Sequence, residues 1–395
     1  MPTSRTYVRR GPSYKNTIYT WMLALALGCG TATADTEVPA NSLAAAAPGT
    51  IFNAWPLEEQ SKAAYRAYRI LYRSTDHDGK PVAVSGAILV PKTPPTGKPR
   101  DVIAWSHPTT GVVPKCAPTL NPNVAGTVPG ADSLIAKNYV IVATDYIGLG
   151  TKGTHPYLIG KGEAQAVLDS VRAARQFKGA AASDRFAVWG HSQGGHAALF
   201  TGETAAAYAP ELKLVGVAAA APVTSIVEVY KAGEGAPSGR ILISMILYSW
   251  AHTLGLPLHD TVEPQALHHV KDLGSDCIAT AEQFAKADLD ERILEKNFLR
   301  VDPTDFAPIR KVMDQNEPGL LPAGTPVFVA QGTADHIARP AITEAHIKKM
   351  CSGGAKVKRH VMEGVGHFTA AHDSANATVE WISQRFNEDA PPDDC

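Results

Sequence analysis

The sequence predicts an α/β protein, with a mostly parallel central sheet flanked by helices and a helical cap inserted late in the chain. Three observations predict it. Short apolar runs at 102–105, 139–144, 186–189, 214–219 and 327–330 have the character of strands covered on both faces. Between them apolar residues recur at three-to-four spacing, as in Ala164, Val167, Val171, Ala174 and Phe177, which is the stripe of a helix packed on a sheet. The pentapeptide Gly190-His191-Ser192-Gln193-Gly194 stands between an apolar run ending at Trp189 and an alanine-rich segment opening at Gly195, the place of a sharp strand-to-helix turn. Strands alternating with helices, without internal repeats, give a parallel sheet wrapped on both sides.

Taken in order, the chain opens on a predicted signal peptide over residues 1–34. Arg5, Arg9, Arg10 and Lys15 precede an uncharged stretch at 17–28 that is too short to span a bilayer, and Ala32-Thr33-Ala34 supplies small residues for cleavage before Asp35. A secreted or periplasmic location follows. Arg9-Arg10 raises twin-arginine export, and Cys29 raises lipid attachment, but Ala26 sits where lipid attachment wants a branched apolar residue. Cleavage leaves Cys116, Cys277, Cys351 and Cys395, an even number in an oxidising compartment. Two disulfides are expected. Of the three possible connectivities the expected one joins Cys116 to Cys277 and Cys351 to Cys395, with free buried thiols as the competing reading.

Runs at 68–74 and 82–91 read as strands joined by a turn at His77-Asp78-Gly79, followed by a Pro/Gly-rich loop at 92–99. The core is expected in two parts, 35–222 and 320–395. Between them, 223–319 carries helical patterns with many large apolar residues, among them Ile241, Met245, Leu247, Tyr248, Trp250, Leu254, Leu256 and Phe284, and no convincing strand. This is the expected cap, placed to line an acyl pocket and exclude water. Ordinary helices on the sheet edge are the bland alternative. A strand at 357–362 and a helix marked by Val379, Ile382 and Phe386 close the core.

Composition excludes several classes. With 395 residues, 45% hydrophobic and 19% charged, the chain can bury a large core, and a formal net charge of -1 gives no electrostatic case for nucleic acid or an anionic membrane. Stable membrane insertion is not expected. No cysteine has a second cysteine or histidine at ligand spacing, and His268 and His269 are adjacent and point apart, so no metal site is expected.

The chemistry-bearing residues sit at strand ends, where ligands gather in such sheets. Ser192 on its turn is exposed as a nucleophile, but it needs a base within hydrogen-bond reach and a carboxylate to orient that base. Asp335 follows the run 327–330 and a glycine turn, and His367 lies on a glycine-bracketed loop after 357–362. Glu363, Asp373 and Asp145 are rival acids; Asp145 reads as structural. His191, His196 and His360 are rival bases, of which the first two adjoin Ser192 and aim away from its hydroxyl. One oxyanion donor comes with the turn as the backbone NH of Gln193. The second is expected from Ser106-His107-Pro108-Thr109-Thr110-Gly111; proline has no amide hydrogen, so Thr109 is preferred, with Thr110 one step away.

The order Ser192, Asp335, His367 is that of the α/β-hydrolase fold. The chain resembles the secretory lipase family of that superfamily, the group of fungal lipase A-like enzymes and many bacterial exported lipases and esterases. The resemblance runs from about Pro56 to Phe386 on Ser106-His107-Pro108-Thr109-Thr110-Gly111 with Cys116-Ala117-Pro118, Asp145-Tyr146-Ile147-Gly148-Leu149-Gly150, Gly190-His191-Ser192-Gln193-Gly194-Gly195, Gly332-Thr333-Ala334-Asp335 and Gly364-Val365-Gly366-His367. It implies an exported hydrolase of carboxylic esters such as acylglycerols, with a helical cap, two disulfides and no cofactor. Pro108 departs from the glycine that many hydrolases carry after the histidine. A serine peptidase of the same fold and a non-catalytic lipid or ester binder are the alternatives.

Overall fold

The computed structural model describes residues 37–395 except Ser61, Ala63, Glu234, Gly235 and Lys296. The predicted export segment 1–34, with Cys29, lies outside the described residues. Among the described residues nine strands form one sheet in the order β1-β2-β3-β5-β4-β6-β7-β8-β9. They are β1 (Ile51–Pro56), β2 (Tyr65–Thr75), β3 (Pro81–Pro91), β4 (Arg100–Ser106), β5 (Val140–Thr144), β6 (Ala182–His191), β7 (Lys213–Ala220), β8 (Pro326–Gly332) and β9 (Lys356–Met362). The first three pair antiparallel with their neighbours, and β4 through β9 are parallel.

β1 was not visible as a strand in the sequence pattern. It is short, only partly buried and ends in proline, all features of an edge strand that packs one neighbour. The β2–β3 hairpin turns where expected. The Asp76 carboxylate accepts the backbone amides of Asp78 and Lys80 at 3.0 and 2.8 Å, and Gly79 takes the left-handed conformation that the turn requires.

The parallel strands alternate in what they bury. In β4, Val102 and Ala104 join one core with Val167, Val171 and Leu199 of the helices Gly160–Gln176 and Gln193–Tyr208. Ile103 and Trp105 face the opposite core with Trp381, Ile382 and Phe386 of the helix Ala375–Phe386. Phe186 and Val188 of β6 repeat the first set, and Ala187 and Trp189 the second, with Trp105 and Trp189 edge-on at 5.2 Å. Both faces are apolar because both are covered, which is why these strands read as continuous hydrophobic runs. Each large side chain buried this way stabilises the fold by about 1.5–3 kcal/mol.

Register does the rest. Ser106 lies beside Gly190, His191 beside Ala220, Ala220 beside Ala330, and Gly332 beside Met362. The loops that follow β4, β6, β8 and β9 therefore leave the sheet along one edge. Over it, between β7 and β8, run the helices Ile226–Gly233, Pro237–Thr253, Leu267–Ser275, Ala281–Asp290 and Ala307–Gln315. They build a third apolar core from Ile241, Met245, Leu247 and Trp250, into which the core segment Tyr157, Leu158 and Ile159 also inserts. Its extended pairing among the described residues is one isolated bridge, Val262 to Leu299.

Cys116 is bonded to Cys277 and Cys351 to Cys395, the expected pairing. The first bond joins the loop after β4 to the helical connection, and the second ties the C-terminus beside β9, where Asp394 donates its amide to the Val357 carbonyl. The two bridges close segments with sequence separations of 161 and 44. By loop entropy alone, replacing the Cys116–Cys277 pair with serine destabilises by about 1 kcal/mol more than replacing Cys351–Cys395, within a total of about 2–5 kcal/mol per bridge. Denaturant unfolding of the two double variants checks this; equal or reversed losses contradict it.

Candidate active site

Ser192 sits at a close backbone crossing. Its φ of 57° and ψ of -116° lie outside the usual regions for a side-chain-bearing residue, a conformation that costs on the order of 1–3 kcal/mol. The surrounding glycines make it possible. A Cβ at Gly190 would overlap the Gly194 carbonyl, and one at Gly194 would overlap the carbonyl of Ser106, so strand, helix and neighbouring loop pass in backbone contact. The Ser192 carbonyl accepts the amides of His196 at 3.0 Å and Val223 at 3.3 Å. A trans peptide sets C=O and the next N–H opposed, so the Gln193 amide points out of the helix N-terminus.

The parallel register brings the three distant residues together. His367 Nε2 lies 2.8 Å from Ser192 Oγ, and His367 Nδ1 lies 2.8 Å from Asp335 Oδ2. All three are nearly buried. The other carboxylate oxygen of Asp335 accepts the amides of Ile337 and Ala338 at 2.8 and 2.9 Å, and the Gln331 side-chain amide reaches Oδ2 at 3.3 Å. That carboxylate is held from three sides before it meets the histidine.

Of the rival residues Glu363 is exposed, and the others are accounted for by their partners. His191 Nε2 donates to the His367 carbonyl at 2.8 Å, and burial, with His367 nearby, pushes the His191 ring down to about 3. His196 turns to Glu163, and His360 stacks on Phe328 at a centroid distance of 5.6 Å. The buried Asp145 accepts from Ser85, from the Thr119 amide at 3.0 Å and from the Thr119 hydroxyl. It braces the loop of Cys116 and Thr119 from beneath. Asp373 is paired with its exposed neighbour His372.

A cavity of about 1100 Å³ opens at Ser192 and His367. The loop of Pro108, Thr109 and Thr110 lines one side, and Leu242 and Phe284 of the helical connection line another, with Phe284 edge-on to Phe368 at 5.3 Å. His107 Nδ1 donates to the Pro108 carbonyl at 2.6 Å. That turns the Thr109 amide the opposite way. Among the described residues neither the Thr109 nor the Gln193 amide donates to a protein acceptor. The Thr109 hydroxyl is anchored on Tyr157 at 2.7 Å.

Beneath the serine lies a polar cluster that the sequence reading did not single out. Gln193 turns its fully buried side chain away from the cavity, and its amide nitrogen lies 2.8 Å from Glu163 Oε1 and 2.7 Å from His155 Nε2. His155 Nδ1 donates to the Ile147 carbonyl at 2.9 Å, so Nε2 is the acceptor, and burial drives this ring down to about 4. Both nitrogens of His196 are engaged, one with Glu163 Oε2 at 2.7 Å and the other with the Asn316 carbonyl at 2.8 Å. Burial works to raise the Glu163 carboxyl, but His196 beside it, with His155 and Gln193, holds it below the usual carboxylate range. A charged residue inside an otherwise apolar helix stripe was the available signal. Among the described residues no group of three or more His, Cys, Asp or Glu side chains is placed to hold a metal ion, and no helix is long and apolar enough to cross a membrane.

The secretory lipase model matches residues 127–394. The chain is 26% identical to Lipase A of Arthroderma benhamiae over 365 residues, which spans 86% of this chain and 74% of that protein. It is 24% identical to the trichothecene C-3 esterase of Fusarium sporotrichioides over 366 residues, 87% of this chain and 80% of the other. Its fold matches Candida antarctica lipase A in its closed state with a TM-score of 0.74 at 18% identity, covering 90% of this chain and 86% of that one. With a nine-stranded, mostly parallel sheet, a strained serine turn and a match over most of its length, the chain belongs to the secretory lipase family, within the α/β-hydrolases.

Proposed function

We propose that this enzyme is an exported carboxylic-ester hydrolase acting through Ser192, His367 and Asp335, with a covalent acyl-enzyme. The observation that carries the reading is the unbroken chain from Ser192 Oγ through the His367 ring to Asp335, at 2.8 Å for each link. Membership of a lipase family, and relatives named as a lipase and an esterase, support ester hydrolysis. The predicted leader and two disulfides support export.

In the proposed reaction His367 Nε2 takes the Ser192 proton as Oγ attacks the ester carbonyl. Asp335 fixes the imidazole tautomer and stabilises the cation that forms. The oxyanion is received by the outward amides of Gln193 and Thr109, both fixed before substrate arrives, so no reorganisation is needed as charge develops. His367 then returns the proton to the leaving alkoxide. Water repeats the sequence on the acyl-enzyme and restores Ser192.

The helical segment 223–319 acts in this reading as a cap. Leu242 and Phe284 bring apolar surface over the serine, suited to the non-polar part of an ester, and they exclude water from the developing charge. His191 holds the His367 backbone while staying neutral, so it adds no like charge beside the imidazolium of the transition state.

A short-chain nitrophenyl ester, a triglyceride emulsion and a peptide anilide, assayed beside Ser192→Ala, test the assignment. Ester turnover should fall by about four to six orders of magnitude in Ser192→Ala and by about three to four in Asp335→Asn. Peptide cleavage without ester turnover, or ester turnover that survives Ser192→Ala, rejects it. His191 supplies a stability prediction. The unfolded chain protonates this ring near 6.5 and the folded chain refuses the proton until about 3, so stability is intact above the higher value and declines as pH falls between them. His191→Gln, which keeps a donor for the His367 carbonyl, should make that decline shallower by about 1.4 kcal/mol per pH unit between about pH 6 and about pH 4. Unfolding curves at stepped pH read the slope; an unchanged slope contradicts the neutral assignment.

A further inference from the structure

We infer that the segment His155-Pro156-Tyr157 is a strap that sets the two oxyanion amides relative to one another and couples them to the cap helix Pro237–Thr253. The inference rests on the proposed assignment of Thr109 and Gln193 as donors. The two residues lie on different elements, the loop after β4 and the first turn of the helix Gln193–Tyr208, 84 positions apart, and neither element alone fixes the gap between their amides. The strap touches both. His155 Nε2 accepts the Gln193 side-chain amide at 2.7 Å, and two residues later the Tyr157 hydroxyl meets the Thr109 hydroxyl at 2.7 Å.

The strap is in turn held by the cap. Ser249 Oγ donates to the His155 carbonyl at 2.6 Å and accepts the Tyr157 amide at 3.0 Å, while Trp250 Nε1 donates to the Tyr157 carbonyl at 2.8 Å. Pro156 stiffens the residue between them. Beneath, Tyr146 stacks on His155 at 5.5 Å and donates its hydroxyl to the His107 carbonyl at 3.2 Å, so the residue that turns the Thr109 peptide is gripped from the same side. His155, Tyr157, Ser249, Trp250 and Gln193 are all buried. Water does not compete for these bonds, and in such surroundings they act as a connected unit.

Ser238 and Leu242 of the same cap helix line the cavity. A substrate that presses on this wall bears on the helix that holds the strap. Tyr157, His155 and Ser249 touch neither the serine nor the cavity; they are positioning residues. Their loss should therefore weaken transition-state stabilisation while leaving ground-state binding nearly intact.

The test compares an ester with its thionoester, in which sulfur replaces the carbonyl oxygen and fits a pair of oxygen-directed amides poorly. Wild-type enzyme should favour the oxygen substrate strongly in kcat/KM. Tyr157→Phe, Thr109→Val and Ser249→Ala should each lower kcat on the ester by about three- to tenfold with KM within about twofold, and each should shrink the oxygen-to-sulfur preference. Tyr157→Phe combined with Thr109→Val should be no worse than either alone, because both remove one shared bond. Thermal melts run beside the assays separate a positioning loss from a folding loss. A strong wild-type preference that every variant keeps, or additive losses in the double variant, overturns the strap. A wild-type preference near one removes the oxyanion assignment itself.

Discussion

Everything in this site depends on one backbone crossing, where the carbonyl of Ser106 presses against Gly194 with no room for a Cβ. That contact sets the end of β4 against the first turn of the helix Gln193–Tyr208, and it holds Ser192 in a conformation that a free chain would avoid. The parallel sheet supplies the force. Trp105 pairs with Trp189 and Ser106 with Gly190, each strand is packed on both faces, and a local relaxation of the serine would have to shift buried register. Strain at a single residue persists because its surroundings over-determine it.

From that crossing the rest of the arrangement follows by short steps. The helix N-terminus presents one amide, the neighbouring loop presents another, and β8 and β9 end within reach with their acid and histidine. Asp335 is prepared by the amides of Ile337 and Ala338 before it touches His367, and His367 is held at its own carbonyl by His191. Each group that would carry charge is thus oriented by a neighbour that is itself neutral or already satisfied. The polar cluster of Glu163, His155, His196 and Gln193 extends the same logic beneath the helix, where one carboxylate answers several buried donors.

Much of this was legible in the residues. Runs such as 102–105 and 186–189 declared doubly covered strands because no polar position interrupts them, and glycines two places either side of Ser192 declared the turn. Asp335 and His367 could be picked because each follows an apolar run and a glycine. The disulfide pairing also matched expectation. β1 was not legible, since an edge strand buries too little to show a clear pattern. Glu163 and His155 were missed for a different reason. Their partners lie far away in sequence, Gln193 and His196 for Glu163 and Gln193 for His155, and no local spacing announces those meetings.

The central claim is that Ser192 becomes covalently acylated with His367 as its base. Mixing the enzyme with a nitrophenyl ester, quenching within the first turnover and weighing the intact chain and its peptides tests that step directly. The account predicts one acyl group on the peptide carrying Ser192, formed with a stoichiometric burst of nitrophenol and absent in His367→Ala. Steady ester turnover with no adduct, or an adduct on another residue, would contradict it.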